Sequence, residues 1–276
     1  MARVLAFSSQ VVRGHVGLSA IVPALQRLGH EVWPLPSIIL SNHPGHPHAA
    51  GMRVETAVLE EVVDALDRNG WLGEIDAAIT GYLPSAEHAC LAASVIRRLR
   101  ANGKLTYLCD PVLGDEPKGL YIEAAAAAAI RDELVPLADI ITPNRFELSW
   151  LSDIPIKTDD VLPNAARGLA PATVLVTSAR RRGPMLENLL IDEDGVKACE
   201  VPYRESVPHG TGDLFSALVL GHHLNGATET SAMAFAAAGV EQAILASAGR
   251  DELALVASQE AWVAAKPLEV SQWHAG

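Results

Sequence analysis

The sequence predicts an α/β fold, a mostly parallel central sheet with helices on both faces, in a single domain covering residues 1–276. Short apolar runs of strand length alternate with longer helical patterns along most of the chain. Glycine or proline punctuates the boundaries between them, and several runs end at a polar turn, such as Asp110-Pro111 and Thr142-Pro143, instead of a tight hairpin.

The elements follow in order. Residues 4–8 are a short apolar run with the length and residue types of a buried strand. A glycine-containing loop follows at 13–17, then a helix over 19–28 closed by Gly29. Residues 31–37 read as a second strand, and 41–51 as a loop rich in proline, glycine and histidine. A helix over 54–69 stops at Gly70, and a strand over 77–80 ends at Gly81-Tyr82. A helix over 85–101 ends near Asn102-Gly103, and a strand over 105–109 ends at Asp110. The alanine run at 124–129 belongs to a helix, since alanine has the highest helix propensity. Short strands are expected at 139–142 and 174–177. The runs 189–191 and 197–201 flank a turn and form a hairpin. Residues 214 to about 248 read as two helices broken near Asn225-Gly226, with one more helix in the tail from Glu252.

Composition narrows the function classes. The formal net charge of −12 repels phosphate backbones and anionic lipid, which disfavours nucleic-acid or membrane-surface binding. A site for a phosphorylated ligand must then be made locally, from backbone N–H groups, a few cations or a metal ion. No apolar run approaches a membrane span and the first residues run straight into a strand pattern, so neither a span nor a signal peptide is expected. Cys90, Cys109 and Cys199 match no zinc spacing and read as reduced, mostly buried thiols of a cytosolic protein.

In open α/β sheets, ligands bind beyond the carboxyl ends of the strands. That rule directs attention to Ser9, Tyr82, Asp110, Thr142 and Thr177. Gly210-Thr211-Gly212-Asp213 stands immediately before a long apolar helix. Glycines let backbone N–H groups approach an anion, and a helix N-terminus adds partial positive charge. Asp213 is awkward beside an anion unless it takes a proton from an attacking hydroxyl. An ordinary capped helix start explains the same residues, and both readings stay open here. Asn144 and Glu147 share a helix face if a helix begins at this point; they fit a capping box or oxygen ligands of a magnesium site. Asp110 and Asp115 flank a turn and either organise cations or are solvated. Together the three segments supply the positioning, anion stabilisation, metal and base that phosphoryl transfer needs.

These motifs, Asp110-Pro111-Val112-Leu113-Gly114-Asp115, Asn144-x-x-Glu147 and Gly210-Thr211-Gly212-Asp213, resemble those of ribokinase-like kinases, in the same order. The loop from Ser9 to Gly17, the tripeptide Ser41-Asn42-His43, Thr80-Gly81-Tyr82 and the run from Leu137 to Asn144 are similar to those of pyridoxal kinases. The resemblance implies a ribokinase-like three-layer sandwich and ATP-dependent phosphorylation of the 5′-hydroxymethyl group of pyridoxal. It implies Asp213 as base and Gly210, Thr211 and Gly212 as anion hole. Asp110, Asn144, Glu147, Thr177, Ser178, Thr211 and Gly212 would bind nucleotide. Asp115 and Glu147 would hold Mg2+, and Asp110, Thr142 and Thr177 a monovalent cation, potassium. Ser9, Val16, the position of Pro44, Tyr82 and Asp213 would meet the substrate. A cytoplasmic homodimer is the implied assembly.

The chain departs from the family where Pro44 replaces a usual threonine and Leu18 a usual asparagine, which leaves open another hydroxymethyl heterocycle such as the thiamine-precursor pyrimidine, or a sugar. A vitamer-binding protein without turnover is the non-enzymatic alternative. His43, His46 and His48 read as a mobile loop over the site, with no carboxylate to complete a metal set. Arg180-Arg181-Arg182 reads as a solvated turn, with nucleotide contact as the alternative, and Cys109 as a buried strand residue.

Overall fold

The computed structural model describes residues 1–171 and 173–275. A ten-stranded sheet runs through the molecule in the order β12-β11-β10-β9-β8-β5-β4-β1-β2-β3. In chain order the elements begin with β1 (Arg3–Val11), α1 (Leu18–Arg27), β2 (Glu31–Leu40), β3 (Gly51–Arg53), α2 (Thr56–Arg68), β4 (Ala77–Thr80) and α3 (Ala86–Asn102). There follow β5 (Thr106–Cys109), the small hairpin β6 (Gly114–Asp115) and β7 (Gly119–Leu120), α4 (Ala124–Ala129), β8 (Ile140–Ile141), α5 (Arg145–Ser152) and α6 (Leu162–Arg167). Then come β9 (Thr173–Arg182), β10 (Met185–Asp192), β11 (Gly195–Pro202), α7 (Thr211–Leu224), α8 (Glu229–Ala246), α9 (Gln259–Val263) and β12 (Val270–Gln272).

The strands β2, β1, β4, β5, β8 and β9 pair in parallel; β3 and β10–β12 add antiparallel edges. Alternation explains the three layers, since neighbouring side chains on a strand point to opposite faces. Leu5, Phe7, Tyr107, Cys109 and Val174 pack with α2–α6, whereas Val4, Ala6, Leu108 and Leu175 pack with α1, α7, α8 and α9. Strands apolar on both faces are what a helix-covered parallel sheet requires.

The structure corrects several boundaries. β1 continues to Val11, so Ser9 lies inside the strand, at the register irregularity between Ser8 and Gln10. β9 continues past Thr177 because Ser178, at φ 51°, absorbs a bulge opposite Glu187 and Leu189, after which pairing resumes. Arg180 is therefore a strand residue and not part of a solvated turn: its guanidinium binds Glu187 at 2.8 Å and covers the Trp273 ring. Arg181 likewise lies over Tyr203. The tail forms α9 and also the edge strand β12. Leu18 is buried in the core cluster that includes α7. Cys109 and Cys199 are buried and Cys90 is exposed; all three thiols are free.

Candidate active site

The neighbouring parallel strands β5, β8 and β9 deliver polar groups to the same edge. Asp110 follows β5, Thr142 follows β8, and Thr177 and Ser178 lie in β9. These residues line one cavity of about 480 Å³ with Gly114, Asp115, Asn144, Glu147 and the segment Gly210–Asp213 at the start of α7. The three motifs that sequence places far apart therefore converge on one volume.

The α7 end is built for an anion. Gly210 adopts φ 97°, a left-handed conformation that favours glycine, and a Cβ there would lie 1.8 Å from the His15 carbonyl oxygen. The first-turn N–H groups of α7 lack intrahelical partners. Nothing lies within 4 Å of where a Cβ on Gly212 would be, so the surface beside these donors is open. Asp213 is partly accessible from the cavity, but the surrounding protein desolvates its carboxyl and pushes it up to about 6, against hydrogen bonds from its own backbone and from the Gly17 N–H. A carboxylate of that basicity is ionised at neutral pH and basic enough to accept a proton from an alcohol held against it.

Asn144 and Glu147 satisfy both readings at once. The Asn144 side chain accepts the Glu147 N–H at 3.0 Å and the Glu147 carboxylate accepts the Asn144 N–H at 2.8 Å, a complete capping box for α5. Glu147 also accepts from Leu113 N–H at 2.9 Å, and Asn144 donates to the Gly114 carbonyl at 2.8 Å. Burial pushes Glu147 up to about 7, with those backbone donors opposing. Asp115 Oδ1 is buried and has no hydrogen-bond partner. An orphaned carboxylate oxygen beside Glu147 in an oxygen-rich cavity fits a hard divalent cation.

Asp110 is buried, and desolvation holds its carboxyl well above the usual range, with the negative charges of Asp213 and Glu147 adding to the effect. Its Oδ2 accepts the Ser216 hydroxyl at 2.9 Å, and Ser216 also bonds Thr142 Oγ1 at 2.8 Å. Ser216 escaped the sequence reading. Its signal is there: it is the one hydroxyl in the apolar run 214–220, one helical turn after Asp213. Tyr121, beside Asp115 on the far wall, was missed because the β6–β7 hairpin was read as a turn. Asp110, Asp115, Glu116, Glu147 and Asp213 line the cavity, against the single lining cation Arg145. Arg145 is itself held by Asp159 at 2.6 Å and the Ala179 carbonyl at 2.7 Å. A polyanion enters such a cavity only with cations of its own. A second cavity of about 390 Å³ shares Thr177, Ser178, Thr211 and Gly212 and continues between apolar Leu186, Val201, Phe215, Val240 and Ile244.

The residues expected to meet the acceptor lie around Gly17 and Gly81, both of which approach Asp213. Gly17, at φ 55°, lets its backbone close on Ser9, where a Cβ would lie 2.3 Å from both the Ser9 carbonyl oxygen and Oγ. Ser9 and Val16 are buried, and Val16 abuts Gly210. Tyr82 is half-buried, held by its N–H on Ser8 Oγ at 3.1 Å and its carbonyl under Ser37 Oγ at 2.8 Å. Pro44 is exposed in the 41–50 loop, where His43 stacks on His209 with ring centroids 3.6 Å apart. The expectation that no carboxylate joins the loop histidines is corrected: Glu252 accepts from His46 at 3.0 Å, with Asp251 alongside. Arg13 occupies both carboxylates at 2.8 Å, which makes the group an ion-pair network instead of a cation site.

The chain is similar to proteins of known family. The family model described as phosphomethylpyrimidine kinase matches residues 37–254. A pyridoxal kinase of Corynebacterium diphtheriae is 36% identical over 267 residues, covering 94% of each chain. One from Pseudomonas fluorescens is 37% identical over 268 residues, covering 93% of this chain and 92% of the relative. Among solved structures, the pyridoxal kinase of Leishmania donovani in complex with ADP and pyridoxamine superposes with a TM-score of 0.91 at 27% identity, covering 98% of this chain and 99% of that one. The pyridoxal kinase of Entamoeba histolytica has a TM-score of 0.92 at 24% identity, covering 98% and 99%, which shows a shared ribokinase-like fold.

Proposed function

The chain belongs to the phosphomethylpyrimidine kinase family, and from that premise we propose that it transfers the γ-phosphoryl group of ATP to the 5′-hydroxymethyl group of pyridoxal, pyridoxine or pyridoxamine. The observation that carries the reading is Asp213, a carboxylate raised to about 6 at the start of α7, set between the acceptor loops and the open N–H groups of Gly210–Gly212.

In this reading Asp213 takes the proton of the acceptor hydroxyl as its oxygen attacks the γ-phosphorus in line. The bond to the β,γ-bridging oxygen breaks and ADP leaves with that electron pair. The N–H groups of Gly210, Thr211 and Gly212 stabilise the charge of the transferring phosphoryl. Asn144, Thr177 and Ser178 hold the phosphates, and the apolar slot from Leu186 to Ile244 suits the nucleobase. Asp115 and Glu147 would hold Mg2+, which neutralises phosphate charge in a cavity otherwise rich in carboxylates. Asp110, Thr142 and Thr177 would hold K+, relieving the crowded charge around Asp110. Ser9, Val16 and Tyr82 form the acceptor walls. The whole chain, 1–276, acts as one kinase unit.

The same reading takes the enzyme as a cytoplasmic homodimer. Free thiols suit a reducing compartment, no helix among the described residues is long and apolar enough to cross a membrane, and exposed Ile39, Met52, Val58 and Val62 near the β3 edge offer an apolar surface. Sedimentation showing only monomer would remove the dimer.

The test is ADP release with magnesium, with and without potassium, on the three vitamers and the thiamine-precursor pyrimidine. Turnover on a vitamer is expected. Turnover on the pyrimidine alone would keep the chemistry and move the acceptor, the outcome that exposed Pro44 and the matching family model make specific. Tight vitamer binding with no turnover would replace the kinase by a binding protein.

A further inference from the structure

The 41–50 loop is organised from within and fastened to the rest of the molecule through imidazoles. Its base is closed by Ser41 N–H on the Ala50 carbonyl at 2.7 Å and Ala50 N–H on Ser41 Oγ at 3.0 Å. Asn42 Nδ2 bonds the His43 and His48 carbonyls at 3.1 and 3.0 Å. At its outer part, His46 reaches Glu252 at 3.0 Å, and His43 stacks on His209 at 3.6 Å with an interplanar angle of 21°. Gly45 packs against both rings: a Cβ there would lie 2.9 Å from His43 Nδ1 and 3.0 Å from His209 Nε2. His43 Nδ1 accepts the Gly45 N–H at 3.0 Å, so the stacked ring is the neutral form protonated on Nε2.

His209 is the residue before Gly210, and the loop it holds carries Ser41-Asn42-His43 and Pro44. We infer that His209 is a positioning residue for the acceptor: its neutral imidazole clamps the 41–50 loop beside the anion hole, and proton uptake releases the loop. The inference rests on the proposed acceptor reading for its effect on catalysis.

The charges around the stack favour the neutral pair. Lys118 on the β6–β7 hairpin and His46 face both rings, and the rings face each other. Glu252 and Asp115 oppose this at His209, favouring its cation. Burial together with the cationic neighbours pushes His43 down to about 4 and lowers His209. A lowered value in the clamped state means that clamping is fully present above the ordinary imidazole value. It is lost as pH falls through the clamped-state values. The His46–Glu252 contact, at 3.0 Å, lies outside the stack. The released loop therefore stays tethered at His46 while its His43 end lifts.

Hydrogen–deuterium exchange of segment 41–50 in the free protein, corrected for intrinsic pH dependence, reads the clamp without any substrate. Protection should fall as pH drops from about 6.5 toward 4, the window set by the lowered imidazoles, and acceptor KM should rise at least about threefold over the same range. His209→Ala should abolish the protection and raise acceptor KM about fivefold or more at every pH, with kcat changed far less. His209→Phe keeps a stacking ring that cannot titrate; it should restore the protection and flatten the KM profile. His209 lies at the surface, its ring covered on one face by His43, so these changes leave the core intact. Protection that is pH-independent in the unmodified protein, or equal protection in His209→Ala, would overturn the inference. If exchange behaves as expected but no vitamer is phosphorylated, the acceptor assignment fails and the clamp stands.

Discussion

The two sides of Asp213 are built differently. On the proposed phosphate side, side chains from the ends of β5 and β8 and from the N-terminal parts of α5 and α7 are tied to each other and to backbone by hydrogen bonds: Ser216 to Asp110, Thr142 to Ser216, Glu147 to Asn144 and Leu113. On the acceptor side, loops meet by close backbone approach at Gly17 and by ring stacking at His43. Phosphoryl transfer demands fixed charges at fixed places, which a rigid sheet edge supplies. Acceptor recognition demands shape and closure, which loops supply and vary.

The comparison can be broken most sharply at the residue between the two sides. Asp213→Asn keeps the shape and removes the proposed base, so kcat should fall at least about 100-fold while nucleotide affinity is largely kept. In the unmodified enzyme, kcat should fall as pH drops through about 6, because protonated Asp213 cannot accept the hydroxyl proton. Stopped-assay kinetics and nucleotide titration check both; near-normal turnover in the variant would remove the assigned base.

A smaller effect is expected within the phosphate side. Asp110 is held above its ordinary range, so its contribution to stability is present at acid pH and is lost as pH rises through the raised value. Asp110→Asn removes that loss and keeps an acceptor for Ser216 Oγ. The ligand-free variant should melt about 2 °C or more higher at neutral pH, with the gap closing as pH falls, and should lose potassium activation. A lower melting temperature would mean that the carboxylate is stabilising as it stands. The smallest effect belongs to the acceptor side: Pro44→Thr adds a hydroxyl and an N–H, and acceptor KM should drop about two- to fivefold with little change in kcat. Unchanged KM across the vitamers would place Pro44 outside the acceptor contacts.

The same asymmetry decided what could be read from the sequence. Parallel-sheet architecture was legible from apolar runs buried on both faces, and the lining of one cavity from Asp110, Asn144, Glu147 and Asp213 standing after strands or before helices. Ser216 was not, because a hydroxyl inside an apolar helix reads as a tolerated polar residue until Asp110 is brought against it. β3, β6, β7 and β12 were not, because strands of two or three residues carry no periodicity. The course of β9 beyond Thr177 depended on a left-handed serine and on Glu187 pairing with Arg180, a long-range match invisible to a local pattern. His209 stands one residue before the glycine motif, and only tertiary structure sets it on His43.

Glu147 has one consequence for how this chain can change. The carboxylate that nucleates α5 is also the one aimed into the cavity, so the helix has no start that is independent of the site. A residue with a single task can drift toward any substitute that performs it. Here a replacement that still caps, such as glutamine, gives up the negative charge, and one that keeps the charge at another length gives up the reciprocal bond with Asn144. Two unrelated filters thus act on one position, and the set of residues passing both is close to one.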